Sequence, residues 1–309
     1  LVFVVAAAAS LLLLASLLAV IFGQTRESAL AQSKASLDGK AYVLNRQIAQ
    51  TFAKVDVVLR LVARDYPRFS ALPAAEANAE LKALLDTIPE SQSLRIADAT
   101  GRFRFDASGT LPQVDIADRA YFRQHQSDPG SGLVFSEPIF ARITNNWVVT
   151  LSRRLNNPDG SHAGHVQAAI NAGDFNRLFA GINRAAAEEI VMLDRQKRIV
   201  AHTAMESPAL GQPYIDLAAL GADDDKLFSL AAVGDYPFDI VVMSSRDEAL
   251  KTWREKIRAY GVSIVFLMLV LVILLVFWQR NYNLACTTAS EMAQAFDDAE
   301  HQARQLLDS

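Results

Sequence analysis

Residues 118–154 bring together the side chains best suited to bind a small anion. This stretch contains five arginines, one histidine and five aromatic residues. Arg119, Tyr121 and Phe122 fall on a predicted short helix, and Trp147 opens a strand whose residues alternate between two faces. A planar guanidinium matches a carboxylate through two parallel hydrogen bonds, and aromatic walls exclude water from that contact. The stretch therefore predicts a carboxylate pocket, although each residue alone fits a solvated strand face or an ordinary core equally well.

The same stretch resembles a known group of sensor domains. The run Asp118-Arg119-Ala120-Tyr121-Phe122, followed by Ser136-Glu137-Pro138 and the strand at 147–154, resembles the extracytoplasmic double Cache, or PDC-type, domains of bacterial chemoreceptors, histidine kinases and diguanylate cyclases. The resemblance covers residues 24–258. It implies an α+β fold in which two PAS-like modules lie along a long N-terminal helix.

The resemblance also assigns roles to individual residues. In amino-acid-binding members of that family, an arginine followed two and three residues later by aromatic residues holds the ligand carboxylate, and a later aspartate holds the ammonium. The strand that would supply the aspartate has Asn171 near the expected position, and Asp174 is displaced toward the next helix. This departure favours a simple organic acid over an amino acid as the ligand. The predicted ligand-binding residues are Arg119, Tyr121, Phe122, His125, Arg142, Trp147, Ser152 and Asn171.

Other kinds of site find little support in the sequence. His162 and His165 form an HxxH pair, but a separation of three in a strand predicts opposite faces, so no metal site is expected. The 14 glycines and 5 histidines form no nucleophile elbow or phosphate-binding loop, so neither a catalytic residue nor a cofactor is predicted. A net charge of -4 gives no indication of nucleic-acid binding. A membrane-anchored ectoenzyme or a solute-binding accessory protein stays the alternative, because catalytic groups can assemble from distant positions.

Two uncharged apolar runs, residues 1–22 and 261–278, approach the ~20 residues that cross a lipid bilayer. Both are predicted to be transmembrane helices, with a cleaved signal peptide as the alternative for the first. Basic residues cluster just before the second run and only Arg280 follows it closely, which by charge count alone would put the large loop inside the cell. The family resemblance instead places residues 24–258 on the periplasmic or extracellular side of the bacterial inner membrane.

The spacing of apolar residues predicts two long helical segments. Apolar or small residues recur at helical spacing through residues 37–66 of a helix that starts near residue 24, and Pro67 marks its expected end. Two consecutive steps of four between Leu44 and Phe52 form a stutter, where packing against a second copy could tolerate two registers. A heptad seam over residues 285–306 predicts a parallel coiled coil, with a single amphipathic helix as the alternative. Together these segments predict a homodimer.

Two strand-turn-strand patterns, at residues 93–108 and 188–203, predict two sheet modules of one plan. In each, an apolar strand ends on an aspartate before a tight turn. The predicted fold class is α+β, with two PAS-like modules flanked by two transmembrane helices. The predicted segments are a transmembrane helix (1–22), a long helix with a membrane-distal ligand-binding module (24–182), a membrane-proximal module (183–258), a second transmembrane helix (261–278) and a cytoplasmic coiled-coil signalling helix (280–309).

These patterns predict the input region of a bacterial signal-transduction receptor. Its outer domain would bind a small carboxylate and pass the signal to a cytoplasmic output domain, a histidine kinase or a diguanylate cyclase, beyond residue 309. The single cysteine, Cys286, follows the second apolar run, so an intramolecular disulfide cannot staple the outer domain. The core of that domain must hold it together unaided.

Overall fold

The computed structural model describes residues 2–182, 188–203, 210–214 and 225–307. The chain divides into two compact units, one of residues 27–250 and one of residues 1–26 with 251–309. The described helices are α1 (Val2–Arg64), α2 (Tyr66–Ala71), α3 (Ala74–Leu85), α4 (Ala120–Ser127), α5 (Ala172–Ile182), α6 (Arg246–Ala249) and α7 (Lys251–Leu307). The strands are β1 (Ser93–Asp98), β2 (Phe103–Asp106), β3 (Val134–Phe135), β4 (Ile139–Phe140), β5 (Trp147–Asn156), β6 (His162–Asn171), β7 (Glu188–Asp194), β8 (Ile199–His202), β9 (Lys226–Ala232) and β10 (Phe238–Ser245).

Helix α1 buries the apolar stripe that the sequence spacing predicts. Its members from Leu37 to Val62 are nearly inaccessible, and Leu44, Ile48 and Phe52 are fully buried; the last predicted member, Tyr66, lies at the start of α2 and is buried too. These side chains pack into the core of their own unit, against both of its sheets. The prediction that the stutter forms a seam between two copies is therefore wrong, because its side chains are already covered within one copy. The exposed large apolar residues of this part of the helix are Tyr42, Val43 and Val57.

The first long helix ends two residues before Tyr66, the end that Pro67 led us to expect. Helix α1 stops at Arg64, and Pro67 lies in the first turn of the short helix α2. Proline suits a first turn because it has no N–H to leave unpaired and its fixed φ is already helical. Pro67 thus begins a new helix as well as limiting the old one.

Two antiparallel sheets follow, as the mixed α+β prediction requires. The strand order is β2-β1-β6-β5-β3 in the first sheet, where β4 also pairs with β5, and β8-β7-β10-β9 in the second. Equivalent hairpins open the two sheets: the Asp98 carboxylate accepts the backbone N–H of Arg102 at 3.2 Å, and Asp194 accepts that of Arg198 at 2.8 Å. The repeated strand-turn-strand plan is confirmed. Side chains alternate along the first sheet, so one face packs on α1 and the other is left for α4 and the loop before it.

Strand β6 contains a bulge that changes the direction of its histidines. The ladder to β5 skips Ala163, and the next residue, Gly164, has a φ of +130°. A side chain at Gly164 would collide with the backbone of β1, so only glycine fits there. The rings of both His162 and His165 contact Phe122, at centroid distances of 5.8 and 5.6 Å. The prediction that the two histidines point to opposite faces is wrong, because it assumed an unbroken strand.

The second unit contains the helical segments at the two ends of the chain. Within α7, Lys251–Trp278 is the one segment in the described part of the chain whose length and composition suit a membrane crossing. It includes the predicted second transmembrane helix. The first predicted span forms the start of α1 and is not singled out by the same criteria, so it stays a prediction. Residues 280–307 are helical, and their pairing with a second copy likewise stays a prediction.

Candidate ligand-binding site

A small cavity of about 40 Å³ lies on the face of the first sheet that α1 does not cover. It is lined by residues of β1, β5 and β6, by the start of α4 and by residues 141–144. The volume is enough for about three water molecules at ~10–15 Å³ each. It therefore suits a ligand of only a few non-hydrogen atoms. The polar side chains that line it belong to Gln92, Arg95, Arg119, Tyr121, Arg142, Thr144, Thr150 and Gln167.

Arg119 is held in this wall by the way helix α4 begins. It is the N-cap residue of α4, and its backbone N–H donates to Ile116 at 3.0 Å. The N–H of Ile116 in turn donates to Gly101 at 3.1 Å, which ties the preceding loop to the β1-β2 turn. The Arg119 side chain is half-buried, and among the described residues no carboxylate lies within ion-pair distance of its guanidinium. Its position is fixed and its charge is available to a ligand.

The other two arginines of the cavity are already paired. Arg142 donates to the Asp118 carboxylate at 2.6 Å, and this hydrogen bond lowers the pKa of Asp118. Arg95 is buried, and its charge is balanced by an ion pair with buried Asp106. Arg119 is therefore the arginine best placed to bind an anion from outside, with two further positive groups nearby in the same lining.

The cavity has no negative group of its own. None of the described residues that line it carries a carboxylate, and its remaining polar groups are amides and hydroxyls. Burial raises the pKa of Tyr121 to about 12, so its hydroxyl stays protonated and can donate a hydrogen bond. The lining thus offers cationic and neutral donors to an anion, and no counter-charge for a cation.

A layer of buried aromatic rings lies between α4 and the sheet, beside the cavity. The His125 ring bonds Ser131 through Nδ1 and Ser152 through Nε2, both at 2.9 Å, and stacks on His165 at 5.8 Å. Burial is the main cause that lowers the pKa of His125 to about 3 and that of His165 to about 4. Phe122, His125 and Ser152 do not line the cavity. They pack around α4, whose N-cap residue is Arg119.

Trp147 and Asn171 lie apart from the cavity. Trp147 packs with residues of the second sheet and makes an edge contact with Phe140 at 5.9 Å. The Asn171 side chain accepts the backbone N–H of Gly173 at 2.8 Å, at the start of α5. The predicted set thus divides into three cavity residues, three that support α4, and these two.

Sequence reasoning missed most of the polar lining. Arg95 and Gln167 face each other across β1 and β6, and Thr150 lies on the neighbouring strand β5. Arg95 and Gln167 are polar side chains inside otherwise apolar strands and on the same face, and that pattern was the available signal. Gln92 and Thr144 come from connecting segments, where no periodicity marks them.

The domain that contains this cavity is similar in sequence to a known family. A sequence model described as the Cache domain matches residues 23–253. The chain belongs to the Cache domain family. Cache domains are sensory, ligand-binding domains and are not catalytic, which agrees with the absence of a catalytic motif from the sequence. A search of curated proteins gives no match.

Three similar solved structures are domains of receptors. The extracellular domain of a candidate histidine kinase, rpHK1S-Z16, is 25% identical, with a TM-score of 0.61, over 72% of this chain and 98% of that one. The sensory domain of the Campylobacter jejuni chemoreceptor Tlp3 with isoleucine bound is 15% identical, with a TM-score of 0.53, over 73% and 97%. The ligand-binding domain of the Pseudomonas fluorescens chemoreceptor CtaA, in complex with L-valine, is 15% identical, with a TM-score of 0.53, over 70% of this chain and 97% of that one. At 15% identity the two chemoreceptors share the fold alone.

Proposed function

We propose that this Cache domain is the outer sensor of a bacterial transmembrane receptor and that its small cavity binds a carboxylate that carries no ammonium group. One observation supports this most strongly: three arginines line the cavity, one of them has no ion-pair partner among the described residues, and no lining residue is acidic. A carboxylate would accept two hydrogen bonds from the Arg119 guanidinium, and the protonated hydroxyl of Tyr121 would donate a third to the same ligand. The volume limits that ligand to a small acid.

The same lining argues against an α-amino acid. An amino acid would bring an ammonium group into a cavity whose charged groups are all arginines. A buried charge without a partner costs several kcal/mol, so the ammonium would weaken binding even if it fitted. Some structural neighbours of this chain bind amino acids. This chain shares their fold, and we infer that it differs from them in ligand class.

Signal transmission rests on the elements that flank the cavity. A ligand can shift a conformational equilibrium only through different affinities for two states. Occupancy would tighten α4 against one face of the first sheet, while the stripe of α1 packs on the opposite face. We infer that this change passes along α1 and α7 through the bacterial inner membrane, in a homodimer, to a cytoplasmic kinase or cyclase domain. The outer domain would then lie in the periplasm or outside the cell.

Calorimetric titration of the full chain in detergent tests the ligand assignment. Formate, acetate, glycolate and propionate form a panel of the smallest organic acids. We expect at least one to bind, and we expect Arg119→Ala to weaken it at least about tenfold, because hydrogen bonds to charged groups contribute more than neutral ones. Arg102→Ala is the matched control, since Arg102 is exposed and lines no described cavity. Unchanged affinity in Arg119→Ala would refute the assignment.

A further inference from the structure

A second and much larger cavity, beside the proposed carboxylate site, opens between the two sheets. This inter-sheet cleft has a volume of about 1000 Å³. Its walls come from α1, from the start of α4, from the segment around β3, and from the turns at 194–198 and 234–238 of the second sheet. The volume is at the upper end of the ~300–1,000 Å³ usual for small-molecule pockets. The cleft is therefore large enough for a ligand that the small cavity would exclude.

The charge of the cleft is positive. Six arginines and four carboxylates line it, which leaves an excess of two positive charges. Asp56 is nearly inaccessible and binds Arg153 through Nε at 2.5 Å and Arg60 at 2.5 Å. Arg198 binds Asp194 at 2.7 Å and also pairs with Glu137. Three of the four acids are thus already neutralised by arginines from within the cleft.

Three arginines of the cleft stay uncommitted. Arg46 on α1, Arg119 at the start of α4 and Arg195 in the β7-β8 turn make no ion pair among the described residues. They come from three different elements that all line the cleft. A ligand with a single negative charge would satisfy only one of them. A ligand with two or more separated anionic groups would satisfy several at once.

The floor of the cleft is aromatic. Phe135, Tyr236 and Phe238 line it, and each also packs against the buried ring of Phe52 at 5.1 to 5.3 Å. Phe135 also makes edge contacts with Tyr236 and Phe238, at 5.6 and 5.1 Å, an arrangement that aromatic pairs prefer. A flat apolar body would pack against these rings while its charged groups reach the arginines. A fully hydrated ion such as sulfate would not use this floor.

We propose that the inter-sheet cleft is a second ligand site, for a multivalent organic anion with an apolar or aromatic body and carboxylate or phosphate groups. The arginine fork recognises both kinds of group. Because α1, the first sheet and the second sheet all contribute to the walls, an occupant would bridge the two modules. Arg119, Tyr121 and Ile139 line both cavities, so the two sites share a wall.

The test uses the full chain in detergent and calorimetry with four probes. Benzene-1,3,5-tricarboxylate and 1,4-phenylene bisphosphate each combine a ring with two or more separated anionic groups, which are carboxylates in the first probe and phosphates in the second. Benzoate has the ring with one charge, and citrate has the charges without a ring. We expect the first or second probe to bind at least about tenfold more tightly than benzoate and citrate. Binding of either probe supports the site. The probe that binds more tightly shows whether the site prefers carboxylate or phosphate groups.

Variants locate the binding. Arg46→Ala combined with Arg195→Ala should weaken the better probe at least about tenfold, since both residues are exposed in this cleft and neither lines the small cavity. Arg26→Ala combined with Arg102→Ala removes the same charge outside the cleft and should leave binding unchanged. Arg142 lines the small cavity and not the cleft, so Arg142→Ala should also leave binding of the probe unchanged. The two sets of variants therefore test the cleft and the proposed carboxylate site separately.

A wild-type measurement keeps the proposal testable even if a variant fails to fold. The affinity of the better multivalent probe should fall steeply as sodium chloride is raised, because exposed charges are screened by salt. The proposal is overturned if neither multivalent probe binds more tightly than benzoate. It is equally overturned if binding survives the loss of Arg46 and Arg195, or is indifferent to salt.

Discussion

Mild acid should destabilise the first sheet through the buried pair His125 and His165. Burial is the main reason that the pKa of His125 falls from 6.5 to about 3 and that of His165 to about 4, and neighbouring histidines add to the effect. The folded chain therefore keeps both rings neutral, whereas the unfolded chain takes up a proton on each below pH ~6.5. The free energy of unfolding is therefore highest above that pH. It decreases as the pH falls from ~6.5 toward the pKa values of the two histidines in the folded chain.

The size of the effect follows from the width of this window. A histidine that is protonated in the unfolded chain but neutral in the folded chain lowers the free energy of unfolding by about 1.4 kcal/mol for each unit that the pH falls. Between pH ~6.5 and ~5, each histidine therefore lowers it by about 2 kcal/mol. The two together remove on the order of 4 kcal/mol, a large part of the ~5–15 kcal/mol that stabilises a typical domain. The carboxylates with a lowered pKa, such as Asp98 and Asp118, titrate at lower pH and contribute little in this interval.

Urea unfolding of residues 27–250, followed by circular dichroism, measures the effect. The free energy of unfolding should fall from pH ~7 to ~5, and His165→Gln should reduce that slope by about one proton. Ser131→Ala is the control, because it removes a hydrogen bond to His125 but keeps both titrating rings. Equal stability at the two pH values, or a wild-type slope in His165→Gln, would refute the reasoning.

Two further predictions concern buried groups in the same unit. Phe52→Ala should lower the free energy of unfolding by about 3–5 kcal/mol because the ring is fully buried in an aromatic cluster, whereas exposed Val57→Ala should change it by less than about 0.5. A loss below ~1 kcal/mol for Phe52→Ala in urea titrations would contradict the packing described. Asp106→Asn should destabilise by about 3–5 kcal/mol because it leaves Arg95 charged and buried without its partner. Exposed Asp159→Asn is the comparison for that variant, and equal thermal unfolding temperatures would count against the buried ion pair.

Periodic patterns made most of the fold predictable. The spacing of the stripe on α1 identified side chains that are all buried, because a helix with one covered face must place apolar residues three and four apart. Strand β9 was not predicted, since Lys226–Ala232 mixes exposed and half-buried residues and lacks clean alternation. The spacing also could not say what covers the stripe. It fits a partner copy and the chain's own sheets equally well, and only the tertiary contacts distinguish them.

The candidate site was only partly visible in the sequence. Arg119 and Tyr121 were selected because of local motif spacing and Arg142 because of the composition of residues 118–154, and all three line one cavity. Trp147 was selected by composition, but its contacts depend on the second sheet, which lies far along the sequence. The shared direction of His162 and His165 depends on a bulge that requires glycine. Such long-range or irregular features leave no periodic signal.

The relative affinity of the full chain for propionate and L-alanine tests the central claim most directly. These two ligands differ only by the α-ammonium group, and the small cavity offers that group no carboxylate. Calorimetry at neutral pH should show propionate binding at least about tenfold more tightly, because an unpaired ammonium would have to be desolvated among arginines. Alanine binding as tightly as propionate, or more tightly, would contradict the account.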